Sequence, residues 1–87
     1  MPIYVDKPIY EFKGMIMCHM IADTLEELHE MADKIGMKRE WFQKNASFPH
    51  YDIPKMRREK AVKLGAIEVN RRELVYKMRE IREKGNA

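Results

Sequence analysis

His19, His50 and Asp52 are the side chains of this chain best suited to proton transfer, because imidazoles titrate near neutrality and a carboxylate two residues from one of them can orient it. His50 and Asp52 close a twelve-residue stretch, from Trp41 to Asp52, that gathers aromatic rings, an amide, an imidazole and a carboxylate without helical or strand periodicity. Core-building alone does not require that mixture, so the stretch is the expected site. Within it His50 donates a hydrogen bond or shuttles a proton, and Tyr51 offers a ring and a hydroxyl. Asp52 orients a neighbour or the ligand, Trp41 stacks on or encloses it, and Gln43 hydrogen-bonds to it. The plainer account makes Asp52 a helix N-cap, Tyr51 a core residue and His50 a loop residue bonded to a backbone carbonyl. His19 lies in an apolar run. It reads either as a hydrogen-bonded core histidine or, near a strand's carboxyl end, as a second imidazole opening onto the same loops. As loop residues, His50 and Tyr51 should matter more to a ligand than to packing.

Arg57 and Arg58 follow Asp52 by one turn, and Arg71 and Arg72 open the last helix. Guanidinium groups near helix N-termini favour phosphate or carboxylate, whereas the alternative is a solvated basic face, above all for Arg71-Arg72 beside its glutamates. A metal would draw on Cys18, His19, His29, His50 and Asp52. None of these shows HxxxH or CxxC spacing, and Cys18 and His19 point to opposite faces of a strand, so no metal is expected. His29, inside a charged helix, reads as surface. There is no P-loop, GxGxxG, zinc finger or serine-nucleophile signature, so no cofactor is expected.

Eighty-seven residues make one domain, 1–87, with 83–87 as a frayed tail, and leave little room for an enclosed active site without a second copy. A single cysteine and eight methionines fit a reducing, cytoplasmic setting, and no apolar run approaches a membrane span. Net charge is +3, unevenly spread. Residues 1–36 carry three Lys and seven Asp/Glu, net −4, whereas 37–87 carry fourteen Lys/Arg and seven acids, net +7, so an anionic partner would meet the second half.

The elements that must position these groups read as follows. Ile3-Tyr4-Val5 is a strand closed by Asp6-Lys7-Pro8, and residues 9–14 are an edge strand or extended loop bending at Gly14. Met15–Ile21 is apolar at successive positions, as a strand covered on both faces would be. A helix capped by Asp23 or Thr24 presents Leu25, Leu28, Ala32 and Ile35 and stops at Gly36. Residues 37–43 form a short helical turn, and the chain then runs irregularly to Pro49. Asp52 precedes a helix with Pro54 in its first turn and Ile53, Met56, Lys60 or Ala61, and Leu64 on its inner face, ended by Gly65. Residues 66–69 are a short strand. Asn70 and Glu73 form a capping box for a last helix whose inner face is Leu74, Val75, Met78 and Ile81. This order predicts a small α/β or α+β fold: a three- to four-stranded, partly parallel sheet with about three helices.

Tyr4-Val5-Asp6, His19, Ala22-Asp23, Leu28, Trp41-Phe42-Gln43, Pro49-His50-Tyr51-Asp52, Arg57-Arg58 and Leu64-Gly65-Ala66 together resemble a bacterial and phage family of domains of unknown function, over roughly residues 3–75. Its most specific part is WFQ followed by PHYD. Residues 10–14 depart from it, lacking the family's Trp and Arg before the glycine. The resemblance implies that His19, Trp41, Gln43, His50, Tyr51, Asp52, Arg57 and Arg58 share a site, and it implies no reaction. The expected function is a small binding module, homodimeric or higher, for a phosphorylated or nucleotide-like ligand such as a nucleotide signal. The rival is a metal-independent hydrolase or phosphodiesterase using His19 and His50 as acid and base, provided that the imidazoles share a cleft. Nucleic-acid binding through the basic second half is a third reading. Homo-oligomerisation is expected because the run Met15–Ile21 offers more apolar surface than so small a chain readily hides.

Overall fold

The computed structural model describes residues 2–8 and 10–84. Along the chain run β1 (Ile3–Val5), β2 (Tyr10–Phe12), β3 (Met15–Ala22), α1 (Leu25–Lys34), a 3-10 turn (Arg39–Trp41), β4 (Tyr51–Pro54), α2 (Lys55–Lys63), β5 (Ile67–Glu68) and α3 (Arg71–Glu83). The fold is α+β, one five-stranded mixed sheet with three helices, in which β1 and β5 pair in parallel and the other pairings are antiparallel.

β3 is the hub of the sheet. Met20 pairs with Val5 and with Tyr51, and Met17 pairs with Tyr10 and with Pro54, so β1 and β2 lie end to end along one edge of β3 while β4 takes the other. Lys13 and Gly14, both at positive φ (51° and 80°), make the two-residue turn between β2 and β3, a geometry that matches the twist of a hairpin. From Val5 to Tyr10 the first arm takes five steps where β3 takes three from Met17 to Met20, so the hairpin bulges around Asp6, Lys7 and Pro8.

β3 is buried over Met17–Ala22 except at the partly exposed His19, much as its apolar run implies, while Met15 and Ile16 stay exposed beside Phe12. On one face Val5, Cys18, Met20, Tyr51 and Ile53 pack with Leu28, Met31, Ala32 and Ile35 and with Ala61 of α2. On the other a smaller cluster joins Tyr4, Ile21 and Phe48 to Leu74 and Ile81 of α3. The helix ends follow their sequence signals. The Thr24 hydroxyl accepts the Glu27 N–H, and Asn70 and Glu73 form the reciprocal capping box. Gly36, at φ 84°, ends the α1 segment where a side chain would also collide with the Arg57 guanidinium, which donates to the Ile35 carbonyl at 2.6 Å.

The segment around Asp52 differs from the sequence expectation. Tyr51–Pro54 is a fifth strand, not the run-in to a helix, so Asp52 is not a cap and Pro54 takes the N-cap position of α2. Strand alternation buries Tyr51 and Ile53, both fully, whereas Met56 (78% exposed) and Leu64 (50%) lie outside the core. Leu25 and Val75, also expected inside, are largely exposed, and β5 is shorter than the expected 66–69. Of the expected frayed tail, residues 85–87 lie outside the described residues; Glu83 closes α3 and Lys84 caps it. Among the described residues no helix is long and apolar enough to cross a membrane.

The two assignments of this segment separate in a denaturation experiment. Ile53→Ala opens a cavity under β3 and is expected to cost about 2–5 kcal/mol, whereas Met56→Ala should stay within about 0.5 kcal/mol of the parent. Comparable losses for both, by urea unfolding, would return Ile53 and Met56 to one inner helix face.

Candidate functional site

The bulge places Asp6 over His19. The Asp6 N–H donates to the His19 carbonyl at 3.2 Å, the His19 N–H donates back to Asp6 Oδ1 at 2.7 Å, and His19 Nδ1 lies 2.8 Å from Asp6 Oδ2. Asp6 is 1% exposed, and a buried carboxylate is tolerable only when its oxygens are bonded. An ionised carboxylate only accepts, so His19 Nδ1 carries the proton and its Nε2 is left facing outward from the dyad.

What it faces is set by register. His19 sits directly opposite Asp52 in the β3–β4 pair, so both side chains stand on the same sheet face, with His19 Nε2 3.9 Å from Asp52 Oδ1. Just before β4, Gln43 donates its backbone N–H to the His50 carbonyl at 2.9 Å and holds the entry to the strand. His50 Nδ1 bonds to the Phe48 carbonyl at 2.8 Å, and its Nε2 lies 3.1 Å from the same Asp52 oxygen. The Tyr10 hydroxyl donates to that oxygen too, at 2.8 Å. The two imidazole centroids are 5.3 Å apart in an edge-on arrangement, and the Tyr10 ring flanks His19 at 5.2 Å. Side-chain exposures of 22% for His19, 15% for His50 and 31% for Asp52 make the cluster shallow but reachable.

The environment sets these groups apart. Burial alone would lower the His50 pKa, but hydrogen bonds with Asp52 and the Phe48 carbonyl and the negative charges of Asp52 and Asp6 outweigh it, raising His50 above its ordinary 6.5. The bond from His50, and with it the Tyr10 hydroxyl, holds Asp52 below its ordinary 3.8 against the opposing effect of burial. Burial and the neighbouring Asp52 push the Tyr10 phenol well above its usual range, so it stays a donor.

The other residues singled out in the sequence go elsewhere. Tyr51, next to Asp52 in a strand, points to the opposite face, where it is fully buried and its hydroxyl meets His29 Nδ1 at 2.8 Å. It is core, and His29 is half-buried against Phe42 and Tyr51, not surface. Desolvation, with Arg39 nearby, lowers the His29 pKa. Trp41 is half-exposed on the 3-10 turn with the Lys38 ammonium 5.5 Å from its ring. Both guanidinium groups after β4 serve the fold: Arg57 holds the end of α1, and Arg58 donates to the Asp6 carbonyl at 2.7 Å and to Glu68 at 3.0 Å. His19 lies mid-strand, not at a carboxyl end. Asp6 and Tyr10 are the members that sequence reasoning missed. Asp6 reads as the close of a strand before Lys7-Pro8, and only its presence in the resemblance singled it out.

The profile of a family described as "Protein of unknown function (DUF4031)" matches residues 3–81. No curated protein and no solved structure shows a significant match to the chain.

The His50–Asp52 pair carries a pH signature. With His50 above 6.5 and Asp52 below 3.8, its contribution to stability is complete between those values. It is lost as pH rises through the raised His50 value, and again as pH falls through the depressed Asp52 value. NMR titration of chelator-treated protein should place the His50 midpoint above 6.5, and Asp52→Asn should bring it down. An unchanged midpoint in that variant would contradict the assignment.

Proposed function

The chain belongs to the DUF4031 family, and because that family's description names no reaction, we propose a function from the site itself: a small acid–base hydrolase acting on a phosphorylated or nucleotide-like ligand. The observation that carries it is the placement of two imidazoles 5.3 Å apart, each fixed through Nδ1 so that both Nε2 atoms converge on one Asp52 oxygen. His19 is the base. Asp6 holds its tautomer, and at 3.9 Å from Asp52 its Nε2 is beyond hydrogen-bond reach and keeps a lone pair for a water proton. His50 is the acid, kept as an imidazolium by Asp52 and the Phe48 carbonyl. Water deprotonated by His19 attacks the ester, and the leaving oxygen takes the His50 proton. The two environments separate a base from an acid of the same residue type, a recurring pattern in acid–base sites.

The ligand class rests on the chain's wider charge: its basic second half favours a phosphate group, while the cluster itself, with Asp6, Asp52 and the His50 imidazolium, is acidic on balance. A bacterial or phage nucleotide signal belongs to that class. A module that binds such a ligand without turning it over is the second reading, favoured by the openness of the cluster. Two cavities, of about 460 Å³ along Lys7, Arg58 and Asn70 and about 480 Å³ along Arg71, Tyr76 and Arg79, lie at other residues.

A panel of nucleotides, cyclic nucleotides, ADP-ribose derivatives and sugar phosphates, read by thermal shift and by turnover, tests both. His19→Gln and His50→Gln are each expected to lower kcat by about 10²- to 10⁴-fold while retaining the far-UV spectrum of the parent. Shift without turnover selects the binding module, and neither response from any compound overturns both readings.

A further inference from the structure

We infer that His19, His50 and Asp52 form an open, three-ligand site for a divalent transition-metal ion of the Zn²⁺ type. Nothing in the spacing of these residues announces it, since they come from mid-β3, from the residue before β4 and from β4 itself. The fold brings one ligand atom of each to within 4.8 Å of the others. Tetrahedral zinc, with bonds of about 2.0–2.2 Å, spaces its ligand atoms by roughly 3.3 Å. His50 Nε2 and Asp52 Oδ1, at 3.1 Å, already stand near that spacing, and His19 Nε2, on a partly exposed ring, lies 3.9 Å from the same oxygen.

The partners of the outer nitrogens strengthen the assignment. A histidine that binds metal through one nitrogen characteristically donates its other N–H to a carboxylate or a backbone carbonyl, which fixes tautomer and direction. Both forms occur here: Asp6 holds His19 Nδ1 and the Phe48 carbonyl holds His50 Nδ1, so each ring has only Nε2 to offer, and both are aimed at Asp52. Tyr10 steadies the carboxylate by donating to Oδ1.

Charge points the same way. Asp6 and Asp52 place two negative charges in one cluster, and among the described residues no Lys or Arg nitrogen lies within 4.0 Å of either carboxylate. A dication with two neutral imidazoles balances them. The donor set, two imidazoles and a carboxylate, suits zinc, manganese, iron, cobalt or nickel, not the all-oxygen shells of calcium and magnesium. Cys18 takes no part, because it is buried in the opposite core, where desolvation pushes its thiol up to about 12. Three protein ligands leave the fourth position open to water or to an anionic group of a ligand. A bound ion occupies the lone pair that His19 would use as a base, so the metal form and the acid–base form are alternative states of one site.

The metal site stands or falls separately from the hydrolase reading, and the 87-residue chain after chelator treatment tests it with ZnCl₂ alone. Calorimetric titration at pH 7.5 is expected to give one ion per chain with micromolar or tighter affinity. His19→Gln, His50→Gln and Asp52→Asn should each weaken it at least 100-fold, and Asp6→Asn, acting through His19, by about 10- to 100-fold. Cys18→Ala and His29→Gln, on the other face, should leave it unchanged. Circular dichroism of each variant keeps unfolding apart from ligand loss. Absence of one-to-one binding, or binding that survives all three ligand substitutions in folded protein, overturns the site. Turnover by metal-free protein, measured in parallel, bears on the hydrolase reading and not on this one.

Discussion

The bond between Asp6 and His19 is the constraint on which the rest of the site depends. A carboxylate with 1% exposure is costly to hold charged, and here its two oxygens take the backbone and ring N–H groups of one residue on the neighbouring strand. That double contact exists because the first arm of the hairpin is two residues longer than the second between Met17 and Met20, which lets Asp6 lean over β3 while Lys7 and Pro8 leave the ladder. The same bulge presents the Asp6 carbonyl to Arg58, whose other nitrogen reaches Glu68 on β5. One irregularity thus ties α2, the parallel pair of strands and the orientation of an imidazole to a single residue, which is the kind of use to which bulges next to functional sites are put.

The parts of the fold that sequence reads well are those decided locally. The caps at Thr24 and Asn70, the glycine stop after α1 and the apolar run of β3 each follow from a few adjacent side chains, and each is found where it is expected. β4 is not decided locally. Tyr51-Asp52-Ile53-Pro54 is too short to display a period and ends in a residue that equally suits a helix start, so its strand character comes from pairing with β3, 33 residues away at His19↔Asp52. The site follows the same division. His19, His50 and Asp52 were recognisable by type. Their meeting depends on register, and so does the departure of Tyr51 to the far side, because neighbours in a strand face opposite ways. Asp6 and Tyr10 carry no local mark of their role, since one looks like a turn residue and the other like part of an edge strand.

His29 and His50 come to differ because of which face they stand on. His29, against Phe42 and Tyr51, is driven toward its neutral form chiefly by desolvation. His50, with Asp52 and the Phe48 carbonyl, is driven toward its charged form although it too is partly buried. Burial opposes charge in both, so the sign is decided by the charge of the partner within hydrogen-bond distance of the ring. Tyr51 supplies His29 with a neutral hydroxyl, and Asp52 supplies His50 with a full negative charge.

The sheet also explains why the cluster lies open. α1 and α2 cover one face with a large cluster, but the inner stripe of α3 buries only Leu74 and Ile81 against Tyr4, Ile21 and Phe48. Tyr10, His19, His50 and Asp52 stand beside that smaller core without joining it. A longer apolar stripe on α3 would extend the core at their expense, desolvating a carboxylate and an imidazolium whose pairing is favourable only while part of each remains wet. Val75, which apolar spacing would place on the inner stripe, is instead exposed, with Arg71, Arg72 and Arg79 around it. The polar cluster and the short inner face of α3 are therefore two consequences of one arrangement: the helix covers as much of this face as apolar residues on the strands can receive, and the remainder is left to groups that need water, a ligand or an ion.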